Sequence, residues 1–153
     1  MGIRTILNLR GDSDASPYLF EVEACAELGL TLIDHRLYAA ALASRDELLE
    51  LIAIFRRIEK PFVMHCKSGS DRTGFAAILF LHIIAGQPLE RAMRQLHWTH
   101  LHFRKSKNGI LDLFFEAYLE ASKDGVPSLE DWIATQYDPA ILEDRFATER
   151  GRG

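Results

Sequence analysis

In the stretch VMHCKSGSDRTG, residues 63 to 74, Cys66 and Arg72 stand six positions apart, with two glycines and several hydroxyls around them. An ionised thiol is a strong nucleophile, and a guanidinium offers two parallel donors to a pair of anionic oxygens. On a turn between an apolar run and a helix, these residues can hold a tetrahedral oxyanion. The turn's backbone N–H groups point inward, and the helix N-terminus adds a favourable field. The same field lowers the thiol pKa and supplies a thiolate near neutral pH. Cys66 would attack phosphorus in line, and water would then hydrolyse the resulting phosphocysteine. Arg72 and the loop amides would stabilise charge on the equatorial oxygens in both steps. Thr73 is placed to donate to the sulfur as it departs, and His65 to orient the loop or tune the thiol. The chemistry requires neither metal nor cofactor.

The surrounding pattern predicts the elements that would position this loop. GIRTILNLRG reads as a strand ending at the Gly11–Asp12 turn, and Pro17 opens a helix that runs through Leu19, Val22 and Ala26 to Gly29. LTLIDH is a second strand. Ser44 and Glu47 have capping-box spacing ahead of an amphipathic run containing Leu48, Leu51, Ile52, Phe55 and Ile58, which Pro61 terminates. FVMHC reads as a buried central strand and is followed by a helix containing Ala76, Ala77, Leu79, Phe80 and Ile83. This alternation predicts an α/β fold: a central, mainly parallel sheet flanked by helices. The C-terminal half reads as helical, over about 88–97, 109–122 and 128–136. Trp132 and Tyr137 are expected to close that subregion, and EDRFATERGRG to be a frayed end. The first strand starts abruptly: either the fold leaves its sheet edge unprotected, or residues precede this numbering.

The 153 residues suit a single domain over 1–153, and 48% hydrophobic content argues against global disorder. A net charge of -4 argues against a generic nucleic-acid binder without excluding a local basic pocket. Two cysteines make no disulfide framework, and no apolar stretch reaches membrane-spanning length, so a cytoplasmic location is expected.

The run His65-Cys66, five intervening residues, then Arg72-Thr73-Gly74 resembles the signature of the cysteine-dependent phosphatase superfamily. The likeness is to compact bacterial members near the dual-specificity branch of the protein tyrosine phosphatases, and LNLR at residues 7–10 extends it. The resemblance implies two-step phosphomonoester hydrolysis. It matches Cys66 to the nucleophile, Arg72 to the phosphate-binding arginine, and Lys67, Ser68, Gly69, Ser70 and Asp71 to the anion-cradling loop. The leaving oxygen needs a proton. Asp71 fits relatives that carry the acid within the loop, whereas Asp34 fits those that carry it on an earlier segment. No tryptophan–proline–aspartate loop is present to choose between them.

Phosphotyrosyl or dual-specificity protein substrates are the leading expectation, with phosphoinositides or other small anionic phosphoesters as the alternative. A noncatalytic phosphate-binding module and oxyanion reduction or sulfur transfer are weaker readings. The first does not need the nucleophile, and the second needs a route for electron return. Arg10 reads most simply as surface charge and Cys25 as a helical core residue. His97, His100 and His102 lack the spacing of a metal site, while Arg104, Lys105 and Lys107 could form a basic rim.

Overall fold

Alternation of apolar and small polar residues in TILN forms the strand β1 (Thr5–Asn8), in which Thr5, Leu7 and Asn8 are almost completely buried. It lies between β2 (Thr31–Asp34) and β3 (Phe62–His65) in a parallel sheet of order β2-β1-β3. The computed structural model describes residues 2–69, 71–94, 109–125 and 128–151. The predicted α/β fold with a parallel sheet and a helical second half is therefore the observed one. The position of β3 is not: β1 is central, and β3 is an outer strand among the described residues, with Val63 42% exposed. A short apolar run has the same appearance at the centre or the margin of a sheet, so periodicity alone misplaces it.

The register matters more than the order. Asn8 stands opposite Asp34 on one side and opposite His65 on the other, so all three strands stop at one level. Every loop leaving a strand's carboxyl end therefore emerges along the same edge.

Helix α1 (Ser16–Leu28) starts with Pro17 in its first turn. It ends at Gly29, whose left-handed conformation (φ 65) returns its N–H to the carbonyls of Cys25 and Ala26. Cys25 is its buried residue, as expected, while Leu19, Phe20 and Leu28 face outward. Helix α2 (Arg45–Arg57) carries the predicted capping box. Glu47 N–H donates to Ser44 Oγ at 3.3 Å, and Ser44 N–H to Glu47 Oε2 at 2.6 Å. Its apolar stripe of Leu48, Leu51, Ile52 and Phe55 is buried.

Helix α3 (Asp71–Leu79) follows β3 and runs into one π turn, Phe80–Ile84. Phe80 there meets Phe55 of α2 and Phe62 of β3 edge-on, each at 5.3 Å between ring centroids, and so ties sheet to helices. Helix α4 spans Leu89–Ala92 with Met93 at its C-terminal end, and residues 95–97 of the predicted continuation lie outside the described residues. Helices α5 (Ile110–Lys123) and α6 (Leu129–Thr135) pack Phe114 and Trp132 with Tyr137 into an aromatic cluster.

The C-terminus corrects a second expectation. Residues read as frayed form α7 (Pro139–Gly151). Arg145 donates to both carboxylate oxygens of Glu120 on α5 and to Glu149 one turn on, and Leu142 is buried beneath. The alternating charges are thus i,i+4 and interhelical partners.

Tyr137 is fully buried, and its hydroxyl donates to the Ala43 carbonyl at 2.6 Å, linking the chain after α6 to the entry of α2. Tyr137→Phe should lower unfolding free energy by about 1–2 kcal/mol, because it leaves that carbonyl unsatisfied. Urea denaturation with an unchanged m-value checks this.

Candidate active site

Cys66 is the first residue beyond β3, half-buried and a free thiol. The chain turns back at once: Gly69 adopts a left-handed conformation (φ 72) that residues with a Cβ avoid, and Asp71 begins α3. This sharp return brings several donors onto one sulfur. Burial alone would push the Cys66 thiol up. The Thr73 hydroxyl and the backbone N–H groups of Thr73, Ser68 and Gly69 act against burial, and together they hold the thiol below its ordinary value. Thr73 Oγ1 is buried and makes no well-formed hydrogen bond among the described residues, so the main effect of its hydroxyl is to favour the charged form of the nearby sulfur.

His65, the last residue of β3, braces the loop from behind. Its Nδ1 lies 3.4 Å from the Cys66 carbonyl oxygen, which can only accept, so Nδ1 is the donor in that contact. Its Nε2 pairs with Glu21 of α1. Sequence reasoning did not single out Glu21, and a contact between residues 44 positions apart has no local signal.

Asn8 organises the neighbouring loop. It is 1% exposed and satisfied on both sides. Its Nδ2 donates to the Gly11 carbonyl at 3.0 Å and to Asp34 Oδ1 at 2.8 Å, while its Oδ1 accepts from Arg10 N–H at 3.0 Å. Gly11 has a φ of +75, which residues with a Cβ avoid, and a Cβ there would crowd the Arg36 side chain, 2.8 Å from its Nε.

The two candidate acids differ in setting. Asp34 ends β2, two strand spacings from β3, or roughly 10 Å. Its Oδ1 accepts from Asn8, and its Oδ2 accepts from the Tyr18 hydroxyl at 2.6 Å. That hydrogen bond above all pushes Tyr18 up to about 12, so Tyr18 stays a donor. Asp71 occupies the first turn of α3, next to Arg72 and five residues from Cys66. Ser70 and the histidines and basic residues of 97–107 lie outside the described residues.

A cavity of about 260 Å3 adjoins the loop at Lys67 and Arg72, and its wall also includes Arg10, Asp12, Tyr18 and Arg36. Arg10, read as surface charge, is therefore part of a basic concavity, and Arg36 joins it unforeseen. Cys66 is not among the described residues of the cavity's wall. Larger cavities, of about 640 and 490 Å3, lie against α7 and beside the π turn, and neither is lined by Cys66 or Arg72.

The tyrosine phosphatase family model matches residues 1–140. The chain belongs to the tyrosine phosphatase family. Two solved structures of Tk-PTP agree on the fold of this family member. Tk-PTP in its active form is 19% identical, with 79% of each chain covered and a TM-score of 0.54. A glycine-to-alanine mutant form of Tk-PTP is 20% identical, with 86% of this chain and 79% of that chain covered and a TM-score of 0.51. A cysteine-to-serine form of P. aeruginosa TpbA, solved in complex with phosphotyrosine, is 19% identical, with a TM-score of 0.45 over 62% of this chain. The match spans 55% of the TpbA chain, about half its length. No curated protein matches the chain. No group of three or more His, Cys, Asp or Glu among the described residues could hold a metal ion, and no described helix is long and apolar enough to cross a membrane.

The donors around Cys66 set its reactivity. Alkylation by iodoacetamide should show a midpoint pH below that of free cysteine, since the thiolate persists to lower pH when its pKa falls. In Thr73→Val the midpoint should move upward. An unchanged midpoint would remove Thr73 from the sulfur's surroundings.

Proposed function

We propose that the chain is a metal-independent phosphomonoester hydrolase acting through a phosphocysteine intermediate. The observation that carries this reading is the Cys66 sulfur at the base of a turn, with the Thr73 hydroxyl and three backbone N–H groups converging on it. Family membership and the position of Arg72 beside the loop support it.

In the first step the Cys66 thiolate forms a bond to phosphorus as the ester oxygen leaves with a proton from Asp71 or Asp34. The loop of Lys67, Ser68, Gly69, Ser70 and Asp71, together with Arg72, stabilises the three equatorial oxygens. In the second step water attacks phosphorus, its proton passes to the carboxylate, and the S–P bond breaks to return the thiolate. Thr73 donates to the departing sulfur, and His65, held by Glu21, keeps the loop's first carbonyl in place. Positive charge comes from Arg72 and the amides, so neither step calls for a metal. A reducing compartment, the cytoplasm, suits a free nucleophilic thiol.

For substrates, phosphotyrosyl or dual-specificity protein targets are the leading reading, in line with the family and with the phosphotyrosine bound to TpbA. Small phosphoesters are the second reading, and the basic cavity beside the loop favours it. We take residues 1–153 as one catalytic domain.

Cys66→Ser should abolish phosphate release while retaining ligand binding. Turnover near the wild-type level would exclude the intermediate. Wild-type protein that binds phosphate esters but releases no phosphate across about pH 5–8 would instead identify a binding module. Arg72→Lys should lower kcat/KM by at least about a hundredfold, because one ammonium cannot reproduce the two-pronged donor. Asp71→Asn and Asp34→Asn, assayed with alkyl and activated aryl phosphates, should identify the acid. The true donor loses far more rate on the alkyl ester, whereas equal losses on both would indicate a binding or structural role.

A further inference from the structure

We infer that the cavity beside the reactive loop is a subsite for a second phosphate, and that the substrate is a small bisphosphorylated molecule. This deepens the small-phosphoester reading of the proposed hydrolysis at Cys66, which the basic cavity favours over the protein-substrate reading, and rests on that hydrolysis.

Four cationic side chains, Arg10, Arg36, Lys67 and Arg72, line about 260 Å3, with Asp12 the acidic residue of the wall. The chain as a whole carries a net charge of -4, so this concentration of positive charge runs against its composition. The strand register explains how it arises. Asn8, Asp34 and His65 lie level across the sheet, and Arg10, Arg36 and Lys67 are each two residues beyond them. One cation thus stands at the same step on each of the three strand ends.

Among the described residues these charges have few partners. The side chains of Arg10, Lys67 and Arg72 make no hydrogen bond or ion pair among the described residues. Arg36 has Asp12 as its partner among the described residues: its Nη2 donates to the Asp12 carbonyl at 2.8 Å and lies 4.0 Å from Asp12 Oδ1, an exposed pair of little strength. Tyr18 is committed to Asp34. Like charges gathered in one concavity repel unless an anion enters.

The phosphate under attack accounts for Arg72 and the loop amides. Arg10 and Arg36 follow other strands than Arg72, and Cys66 is not among the described residues of the cavity's wall. They suit an anion attached to the same substrate. A phosphate, with two charges and three terminal oxygens, matches two guanidinium forks better than a carboxylate does. The cavity is slightly below the roughly 300 Å3 at which ligand pockets usually begin, so it admits a phosphoryl group with only a few carbons. That points to a small scaffold.

The test compares phosphate release from matched esters: glycerol monophosphate against vicinal glycerol bisphosphate, and glucose monophosphate against glucose bisphosphate. Para-nitrophenyl phosphate serves as the single-phosphate control, and a phosphotyrosine peptide with acidic flanks as the competing class. Wild-type kcat/KM should favour a bisphosphate by at least about tenfold, through KM, and the preference should shrink as salt rises. Arg36→Gln and Arg10→Gln should each remove most of that preference while para-nitrophenyl phosphate turnover stays within about twofold, and Arg36→Lys should restore part of it. Equal rates on mono- and bisphosphates would overturn the inference. So would an equal loss on all esters in both variants, which would make these arginines loop braces, or a gain confined to the acidic peptide. If wild type releases phosphate from no ester, the hydrolytic reading is what fails. The subsite then remains testable by calorimetry: pyrophosphate should bind Cys66→Ser more tightly than orthophosphate, and adding Arg36→Gln should erase the difference. Equal binding of the two anions would overturn the subsite.

Discussion

Parallel pairing of β1 with both neighbours at a common level is the constraint on which the rest of the structure depends. Asn8 faces Asp34 and His65, so the segments after β1, β2 and β3 all begin along one edge of the sheet. In parallel sheets the carboxyl ends of the strands are where ligands settle, at the point where successive connections leave in opposite directions. Here β1 is that point: the chain passes from it to β2 on one side and later returns to β3 on the other. Asn8 then converts strand alignment into loop geometry, since its amide holds Gly11, Arg10 and Asp34 together.

The two cysteines show how environment, and not residue type, determines reactivity. Cys25 is buried in α1, where burial first, and then the charges of Glu21 and Asp34, push its thiol up. Cys66 is also partly buried, but backbone N–H groups and a hydroxyl point at its sulfur and reverse the outcome. Glu21 lies between the two settings, disfavouring charge on Cys25 while pairing with the histidine that supports the loop of Cys66. One carboxylate thus disfavours charge on one sulfur and pairs with the histidine that holds the other's loop.

Rigid packing keeps that loop in shape. Helix α3 buries Phe75, Ala76, Ile78 and Leu79, and Phe75 contacts Phe114 and Phe115 of α5. The loop is therefore suspended between a strand and a helix that are each anchored in the core, as a site needing sub-ångström placement of donors requires. The cavity beside it is shaped differently, by three strand ends, and for that reason gathers cations that share no local motif.

Much of this could be read along the chain, because it depends on residues within one turn of each other. The Cys66–Arg72 loop, the Ser44–Glu47 capping box and the Gly29 helix stop are local and were evident from spacing. Arg36, Asn8, Glu21 and Tyr18 were not. Their roles come from contacts 16 to 44 residues apart, which exist only once the strands align. The central place of β1 and the helix at the C-terminus were also invisible locally, since an apolar run does not name its neighbours and a charged run does not name its ion partners. The sequence by itself determined which residues share the Cys66–Arg72 loop; the tertiary fold decided which charges surround it, because electrostatics acts through space and the chain order does not encode those distances.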